Sequence, residues 1–383
     1  MTICSFAGFE SLNGANLRAF HLANEMIRRG VDVTFITPSR SHAESCRKRF
    51  GVEAVDVGLE FDRFSSSRLK LYPIYALRAR KKVDAGSDIV FGQSLPSALA
   101  VRMSKTRGRK VVDYVDLWSE YWVYAHPSFE GRMVYRCVRM AERYSLKVDT
   151  VFTITREIKR MLETRGCPAR KIKIIRDGVD TSMFRPLRVK PGFYDKYGLD
   201  RKAQYAIYQG GIAAHDGVQF LVDAAPLVLD KNPDMKFLIV GRGDYLGTLK
   251  RKVYEAGMGK AFIFTGWVPY EDMPSFMNAS CMNIVPIPDA PATRGVVTLK
   301  LFEAMACRVP TVIGDLPGVK EHVRDGETAC LVRSEDREQL AGAINRLAED
   351  KDLSRRISRA GLKMVGAYDW RLIAKDMADL ILS

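Results

Sequence analysis

The stretch RGVVTLKLFEAMA, residues 294–306, places a lysine and a glutamate three positions apart at the start of a predicted helix. Thr298 is a typical N-cap residue, so Lys300 falls in the first turn, where the backbone N–H groups already carry partial positive charge. A phosphate bound at this helix N-terminus would make the lysine favourable. The Glu303 carboxylate would then accept hydrogen bonds from two sugar hydroxyls. The alternative is a local Lys300–Glu303 ion pair with only a small structural effect.

Glycines follow several apolar runs, at positions where a parallel strand would end. GFESLNGANLR (8–18) leads into a helical pattern, and YQGGIAAHDG (208–217) and LIVGRGD (238–244) each continue an apolar run. Glycine lets a backbone approach a ligand closely, and Arg242 would neutralise a phosphate there. The alternative is that these glycines only form tight turns and that Arg242 is solvated. The spacing is not G-x-G-x-x-G, and no acidic residue ends VDVTFITPS, which disfavours a nicotinamide enzyme.

The elements that must position these residues are apolar runs alternating with helical patterns. The runs are MTICSFAG, VDVTFIT, DIVFGQ, KVVDYVD and DTVFTIT, then YAIYQGG, MKFLIVGRGD, AFIFTGW, CMNIVPI, PTVIGD and ACLVRS. Near-continuous apolar strands between helices indicate parallel sheets covered on both faces. We therefore predict the α/β class, with two tandem doubly wound, Rossmann-like domains facing a central cleft and a linker between them. Ligands are expected at the carboxyl ends of the strands.

The positive charge is concentrated in the first half of the chain. Residues 1–185 carry 33 Lys and Arg against 20 Asp and Glu, whereas the remainder carries 27 against 25. The segment 63–82 holds seven basic residues and no acidic one. Such a surface attracts phosphates of lipid head groups, nucleic acids or a phosphorylated acceptor. Intermixed tyrosines and leucines are typical of a membrane surface, and a merely solvated basic face is the alternative.

The composition excludes several other classes of protein. The seven cysteines are scattered without a C-x-x-C pair, which predicts a reducing cytoplasm and neither structural zinc nor disulfides. No apolar stretch is long enough to span a membrane, and no signal peptide is recognised at the start. The five histidines do not pair at ligand spacing and no D-x-D motif follows a strand, so no metal site is predicted. A nucleic-acid partner is not predicted either, because no recognition motif is present.

The segment LWSEYWVYAHPSF (117–129) is unusually aromatic and follows the apolar run KVVDYVD. Aromatic side chains among polar ones stack on sugar rings or lie among lipid head groups, and they are equally common in cores. His215, in the loop after YQGG, is placed to touch a ligand or simply lies on the surface.

Taken together, these segments resemble the retaining glycosyltransferases of the GT-B fold, in the group 1 family also called family 4. The similar segments are NLRAFHLANEMIRRGVDVTFIT, VVDYVDLWSEYW, DTVFTITREIKRMLETRGCPARKIKIIRDGVDTSMFRP, LIVGRGD, LKLFEAMACRVPTVIGDLPGVKEHVRDG and YDWRLIAKDMADLI. The resemblance covers nearly the whole chain. It implies an N-terminal acceptor-binding domain (1–180), a C-terminal nucleotide-sugar domain (204–365) and a closing helix (366–383) that returns to the first domain.

The resemblance implies sugar transfer from a UDP- or GDP-sugar to a lipid-linked or saccharide acceptor, with retained configuration and without metal or other cofactor. Asp116, at the sugar–acceptor junction of the resemblance, is expected to orient a hydroxyl or to cap a helix, and Asp116 and Lys300 are the candidate catalytic residues. The candidate donor-binding residues are Gly14, Gly210, Gly211, Gly241, Arg242, Gly243, Arg294, Thr298, Leu299, Lys300 and Glu303. The candidate acceptor or membrane residues are Arg68, Lys70, Arg78, Arg80, Lys81, Lys82, Trp118 and Trp122. These residues predict a cytoplasmic protein lying peripherally on the inner face of a membrane.

The chain departs from the family pattern at three positions. Gly295 stands where the first glutamate of E-x7-E is usual, and Gly211 and Asp216 stand where an arginine and a lysine usually hold the diphosphate. We expect Lys300, with Arg294 or Arg242, to replace the lost pair of basic residues. Two alternatives stay open: a non-catalytic sugar-nucleotide-binding partner subunit, and a nucleotide-sugar epimerase that needs no acceptor.

Overall fold

The computed structural model describes residues 1–6, 16–60 and 70–383. The chain forms two compact units, one of Met1–Asp177 with Trp370–Ser383 and one of Gly178–Asp369. Gly14 and Arg68, two of the predicted site residues, lie outside the described residues. No helix within the described ranges is both long and apolar enough to cross a membrane.

The first unit is built on a seven-stranded parallel sheet of order β3-β2-β1-β4-β5-β6-β7. Its strands are β1 (Thr2–Cys4), β2 (Thr34–Thr37), β3 (Glu53–Asp56), β4 (Ile89–Gln93), β5 (Arg109–Tyr114), β6 (Thr150–Thr153) and β7 (Ile172–Ile174). Its helices are α1 (Leu17–Arg28), α2 (Arg40–Phe50), α3 (Tyr72–Lys82), α4 (Ser94–Met103), α5 (Trp118–Ala125), α6 (Phe129–Ser145) and α7 (Arg156–Thr164). Phe91 pairs in register with Ile3 on one side and Val111 on the other, and all three are fully buried. Cys4 and Val112, one position further along and on the opposite face, are also fully buried, so the central strands are covered on both faces and are continuously apolar.

The second unit contains a six-stranded parallel sheet of order β10-β9-β8-β11-β12-β13. Its strands are β8 (Gln204–Gly211), β9 (Met235–Arg242), β10 (Phe262–Gly266), β11 (Met282–Val285), β12 (Thr311–Gly314) and β13 (Cys330–Val332). Its helices are α8 (Pro191–Tyr197), α9 (Val218–Lys231), α10 (Leu246–Glu255), α11 (Met273–Asn278), α12 (Leu299–Ala306), α13 (Pro317–Lys320), α14 (Arg337–Glu349) and α15 (Lys351–Val365). In both sheets the strand order reverses beside the first strand, so the predicted class of two doubly wound α/β domains is confirmed.

The segments between and after the two sheets also have defined places. Residues 178–203, which include the predicted linker, belong to the second unit, where the rings of Phe193 and Tyr197 on α8 pack 4.8 and 4.6 Å from that of Phe276. The last helix, α16 (Trp370–Leu382), belongs to the first unit. Its buried Trp370 stacks on His21 of α1 with ring centroids 5.0 Å apart.

Candidate functional site

The helix that carries Lys300 and Glu303 begins at Leu299, directly after a capping threonine. The Thr298 hydroxyl accepts a hydrogen bond from the Lys300 backbone N–H at 3.4 Å. Leu301, Phe302 and Met305 are buried, and Leu299 is half-buried in the first turn. Packing of the apolar face therefore fixes the orientation of α12 and directs Lys300 toward the end of β8.

Lys300 is held by an aromatic ring and a carboxylate from another part of the second unit. Its Nζ donates to the Tyr208 hydroxyl at 3.2 Å and to Asp216 Oδ1 at 3.3 Å, and it lies 4.7 Å from the Tyr208 ring centroid. The Tyr208 hydroxyl in turn donates to the Gly211 carbonyl. Burial opposes the charge on Lys300, but Tyr208 and Asp216 outweigh it and raise the lysine pKa. A charged ammonium therefore lies beside the helix start, with 12% of the side chain exposed.

Glu303 lies one turn further along α12 and has different partners. The side-chain amide of Gln209 donates to Oε2 at 2.6 Å, and the Tyr270 hydroxyl donates to Oε1 at 2.7 Å. The residue is only 4% exposed, and burial raises its pKa against the opposing effect of these two hydrogen bonds. Lys300 and Glu303 thus use separate partners instead of forming the local ion pair with each other. Each carboxylate oxygen keeps one lone pair with which it can accept a ligand hydroxyl.

The glycines near Lys300 are required by the protein's own packing. Gly210 and Gly241 are register partners with φ of +121° and +141°. A Cβ on Gly241 would lie 1.9 Å from the Gly210 carbonyl oxygen, and one on Gly243 would lie 2.3 Å from that of Ile212. A Cβ on Gly210 would lie 2.4 Å from Lys300 Cε. The strand contact explains Gly241 and Gly243, and the close passage of Lys300 explains Gly210.

The other predicted donor-site residues of the second unit differ in whether they lie near Lys300. Gly211 is exposed at the end of β8, and Arg242 is exposed at the end of β9. The Arg294 side chain is about half exposed and its Nε lies 3.4 Å from Asp289 Oδ1. His215 is half-buried beside Asp216, and burial lowers its pKa. Lys300 is therefore the basic residue that the structure places against the β8 end, while Arg294 pairs elsewhere.

Asp116 follows β5 in the first unit and is half-buried. Desolvation, followed by the negative charge of Glu142, raises its pKa to about 7, against the opposing effect of a hydrogen bond with Trp118. Glu142 is itself paired with Arg165 at 3.0 Å. Asp116 is thus a carboxyl group that can exchange a proton near neutral pH.

Arg18, which the sequence reasoning missed, lies at the centre of a buried network in the same unit. Its guanidinium donates to both Asp113 carboxylate oxygens at 2.7 and 3.0 Å and to Asp177 Oδ1 at 3.0 Å. It also donates to the carbonyls of Ile175 and Arg176 at 3.2 and 3.0 Å. The available signal was Asp113 inside the apolar run VVDYVD, because a carboxylate in a buried strand requires a partner.

The predicted acceptor or membrane residues divide into exposed cations and packed aromatics. Lys70, Arg78, Lys81 and Lys82 are exposed on or beside α3, and Arg80 is half-buried. The Trp118 ring centroid lies 4.5 Å from that of Tyr72, and the Trp122 indole N–H donates to the Gly131 carbonyl at 3.1 Å. The two tryptophans therefore tie α5 to its neighbours, and their contact with an acceptor stays a prediction. Within the ranges that the structure describes, no group of three or more His, Cys, Asp and Glu side chains could hold a metal ion.

Comparison with known families gives two matches that together span most of the chain. The model for glycosyltransferase family 4 matches residues 12–183, and the model for glycosyl transferases group 1 matches residues 203–350.

Curated relatives match over part of their length. The GDP-mannose-dependent alpha-(1-6)-phosphatidylinositol monomannoside mannosyltransferase of Mycolicibacterium smegmatis is 27% identical over 238 residues, which are 61% of this chain and 62% of the relative. The alpha-D-kanosaminyltransferase of Streptomyces kanamyceticus is 30% identical over 164 residues, 43% of this chain and 41% of the relative. The chain thus spans less than two thirds of these relatives.

Solved structures match over nearly the whole chain. Sucrose-phosphate synthase of Thermosynechococcus elongatus has a TM-score of 0.79 at 19% identity, covering 99% of this chain and 98% of that one. Anabaena HepE, in complex with UDP and glucose, has a TM-score of 0.76 at 18% identity, covering 100% and 99%. At this identity the likeness establishes the fold.

Proposed function

Because this chain belongs to the GT-B glycosyltransferases of group 1, also called family 4, we propose that it transfers a sugar from a nucleotide-diphosphate donor to an acceptor with retained anomeric configuration. The observation that carries the proposal is the start of α12. There a charged, half-buried lysine lies in the first turn of a capped helix and against the glycine-bearing end of β8. Both the helix terminus and the lysine favour an anion at this place.

In the proposed reaction, the donor diphosphate binds at the N-terminus of α12 and Lys300 stabilises the negative charge that develops on the leaving group. Positive charge from the protein takes the part that a metal ion plays in other transferases, so the proposed reaction needs no metal. Glu303, held in place by Gln209 and Tyr270, accepts the ribose hydroxyls with its remaining lone pairs. Asp116 orients a hydroxyl near the transferred sugar, and its raised pKa allows it to exchange a proton at neutral pH.

The donor is proposed to be a UDP- or GDP-sugar and the acceptor a lipid-linked or saccharide molecule at the cytoplasmic face of a membrane. One relative is named for GDP-mannose and a phosphatidylinositol monomannoside, and one structural neighbour was solved with UDP and glucose. The two names are consistent with either a GDP-sugar or a UDP-sugar as donor. A lipid acceptor is named for the relative alone. The excess of basic residues in the N-terminal half is the support from this chain itself.

A non-catalytic sugar-nucleotide-binding subunit is the second candidate. Gly295 removes the usual first glutamate, and Asp216 already neutralises the charge of Lys300. Both features would weaken catalysis more than they would weaken binding of the nucleoside, which supports this alternative on physical grounds.

A panel of UDP- and GDP-sugars tests these candidates by thermal unfolding, followed by product analysis. A ligand that binds only the folded state raises the melting temperature by mass action. A hundredfold excess of free ligand over Kd adds about 2.7 kcal/mol to the free energy of unfolding. We expect one member of the panel to raise it and to be consumed only when an acceptor is added, giving a product of retained configuration. If no member raises the melting temperature, the proposal is wrong. Binding without turnover supports the non-catalytic subunit, and conversion of the donor alone supports an epimerase.

A further inference from the structure

Helix α6 presents an apolar stripe to solvent along its whole length. Its members recur at steps of four, four, three and four residues: Phe129, Met133, Cys137, Met140 and Tyr144. Phe129, Met133 and Met140 are 69, 56 and 64% exposed, and Tyr144 is 40% exposed. At 3.6 residues per turn these positions fall within an arc of about 80° and extend for about 22 Å. The stripe is therefore continuous and not a scatter of single exposed residues.

A row of arginines runs beside this stripe. Each of the last four residues of the stripe directly follows an arginine in the sequence. The four arginines are Arg132, Arg136, Arg139 and Arg143. Within the described residues, no carboxylate forms an ion pair with Arg132, Arg136 or Arg143. Of the two acidic residues of α6, Glu142 is buried and paired with Arg165, whereas Glu130 is exposed in the first turn. The exposed face of α6 thus combines apolar side chains with unneutralised positive charge.

The opposite side of α6 is firmly attached to the first unit. A Cβ on Gly131 would lie 1.9 Å from the His126 carbonyl oxygen, so the helix packs closely at its start. At its end, the hydroxyls of Ser145 and Tyr114 form a buried hydrogen bond of 2.6 Å. The helix consequently cannot roll to bury its apolar stripe in the core without breaking these contacts.

We propose that the exposed face of α6, with its apolar stripe and arginine row, is a docking surface for an anionic lipid bilayer. The helix lies parallel to the surface, the five stripe residues enter the boundary between head groups and acyl chains, and the arginines bind lipid phosphates. This surface adjoins α5, whose Trp122 donates to the Gly131 carbonyl of α6, and the proposal goes beyond the proposed sugar transfer.

Helix α3, which contacts the same helix α4 as α6 does, carries a second group of suitable residues. On α3, Ile74 and Leu77 are 40 and 49% exposed, next to exposed Arg78 and Lys81. The same combination of exposed apolar and basic side chains therefore recurs on a second helix that packs against α4.

Charge favours a bilayer over a second copy of this chain as the occupant. A symmetric dimer through antiparallel α6 helices would bring the two rows of four arginines to the same side of the interface, and like charges across an interface are strongly unfavourable. Anionic head groups are complementary to the same row, and each basic residue near such a surface adds to the attraction.

Co-sedimentation of the full-length protein with phosphatidylglycerol-rich and pure phosphatidylcholine vesicles tests the proposal. We expect binding to the anionic vesicles, and we expect Met133→Glu/Met140→Glu to weaken it by about tenfold or more because two acids replace two inserted side chains. Tyr254→Glu/Leu372→Glu is the matched control, since it makes the same charge change at exposed apolar positions on α10 and α16. Met133→Leu/Met140→Leu should bind as the unmodified protein does.

A dye on Cys137, the cysteine that is exposed while the other six are buried or half-buried, gives a second readout. Its emission should shift to the blue with anionic vesicles. The proposal is overturned if the protein ignores anionic vesicles at low salt, if both glutamate variants lose binding equally, or if neither does. A dimer that Met133→Glu/Met140→Glu disperses, without any vesicle binding, would assign the stripe to a second copy instead. The assay contains no donor or acceptor, so its failure leaves the proposed sugar transfer standing.

Discussion

Each unit holds a buried cation against carboxylates at the ends of its parallel strands, but the two cations are satisfied to different degrees. Arg18 is 1% exposed, and its five short hydrogen bonds go to two carboxylates and two carbonyls. Lys300 is 12% exposed and donates over 3.2 and 3.3 Å to one hydroxyl and one carboxylate. A lysine ammonium has three donors, so one donor of Lys300 has no partner within the described residues.

The difference shows how a structural cation is distinguished from one that is available to a ligand. A planar guanidinium saturated by fixed acceptors cannot turn to another anion without leaving buried carboxylates unpaired. An ammonium with long contacts and a spare donor can donate a hydrogen bond to a phosphate oxygen at little cost. The four predictions below test this distinction.

The largest effect is expected for Arg18→Ala, which leaves Asp113 and Asp177 as uncompensated buried carboxylates. Breaking such a pair costs about 3–5 kcal/mol of folding free energy. Chemical denaturation of the full chain measures this loss. Arg28→Ala is the control, because the Arg28 side chain is exposed and its partner Glu25 keeps a second ion pair with Arg29, so stability should change little. A loss for Arg18→Ala as small as that of the control would mean that the network is not structural.

Lys300→Ala should instead act mainly on ligand binding. Losing a charge-assisted contact of about 1.5–3 kcal/mol weakens the affinity for nucleoside diphosphate roughly tenfold to more than a hundredfold. Titration calorimetry with UDP and GDP measures the change, and denaturation should show a smaller stability loss than Arg18→Ala. Lys260→Ala is the matched control, at an exposed basic residue of the same unit before the amino end of β10. Unchanged affinity in Lys300→Ala would remove the lysine from the donor site.

The same two regions show what the sequence can and cannot predict. Continuous apolar runs identified β8 and β9, because a strand that is covered on both faces has apolar residues at nearly every position. The edge strand β3, with the sequence EAVD, was missed because it is short and only partly apolar. Likewise, Thr298 was recognisable as a cap from residue type, since capping is a local interaction.

Long-range side-chain contacts of the site were not predictable from spacing. Asp216 was noticed only as a departure from the family pattern. Its ion pair with Lys300 was not predicted, because the two residues are 84 positions apart in the sequence. Gln209, 94 positions from Glu303, was not noticed at all. Such pairs form because the carboxyl ends of parallel strands meet at one edge of the sheet, and which side chains meet there depends on register and helix rotation.

A smaller effect on stability is expected at Asp116. Arg18 is paired with Asp113 and Asp177, and Arg165 is paired with Glu142. The Asp116 pKa of about 7 lies above the ordinary 3.8, so the folded state binds a proton that the unfolded state releases between these values. The free energy of unfolding should therefore fall as pH rises from about 4 to 7. Allowing for solvent screening, Asp116→Asn should be more stable than the unmodified protein by about 1–2 kcal/mol at pH 8 and should lose this advantage near pH 4. Denaturation of both proteins across this pH range is the measurement.

The smallest and most discriminating effect concerns Asp216. If the carboxylate competes with a ligand phosphate for Lys300, Asp216→Asn should tighten nucleoside diphosphate binding several-fold, because removing a partly exposed ion pair changes the interaction by about 0.5–1 kcal/mol. The added net positive charge should also make the affinity fall more steeply with salt. Asp289→Asn removes the carboxylate beside Arg294 with the same change in charge and should alter the affinity less. Weaker binding in Asp216→Asn would have the opposite meaning. Asp216 would then position the ammonium as Asp113 positions Arg18, and the two cations would differ in exposure alone.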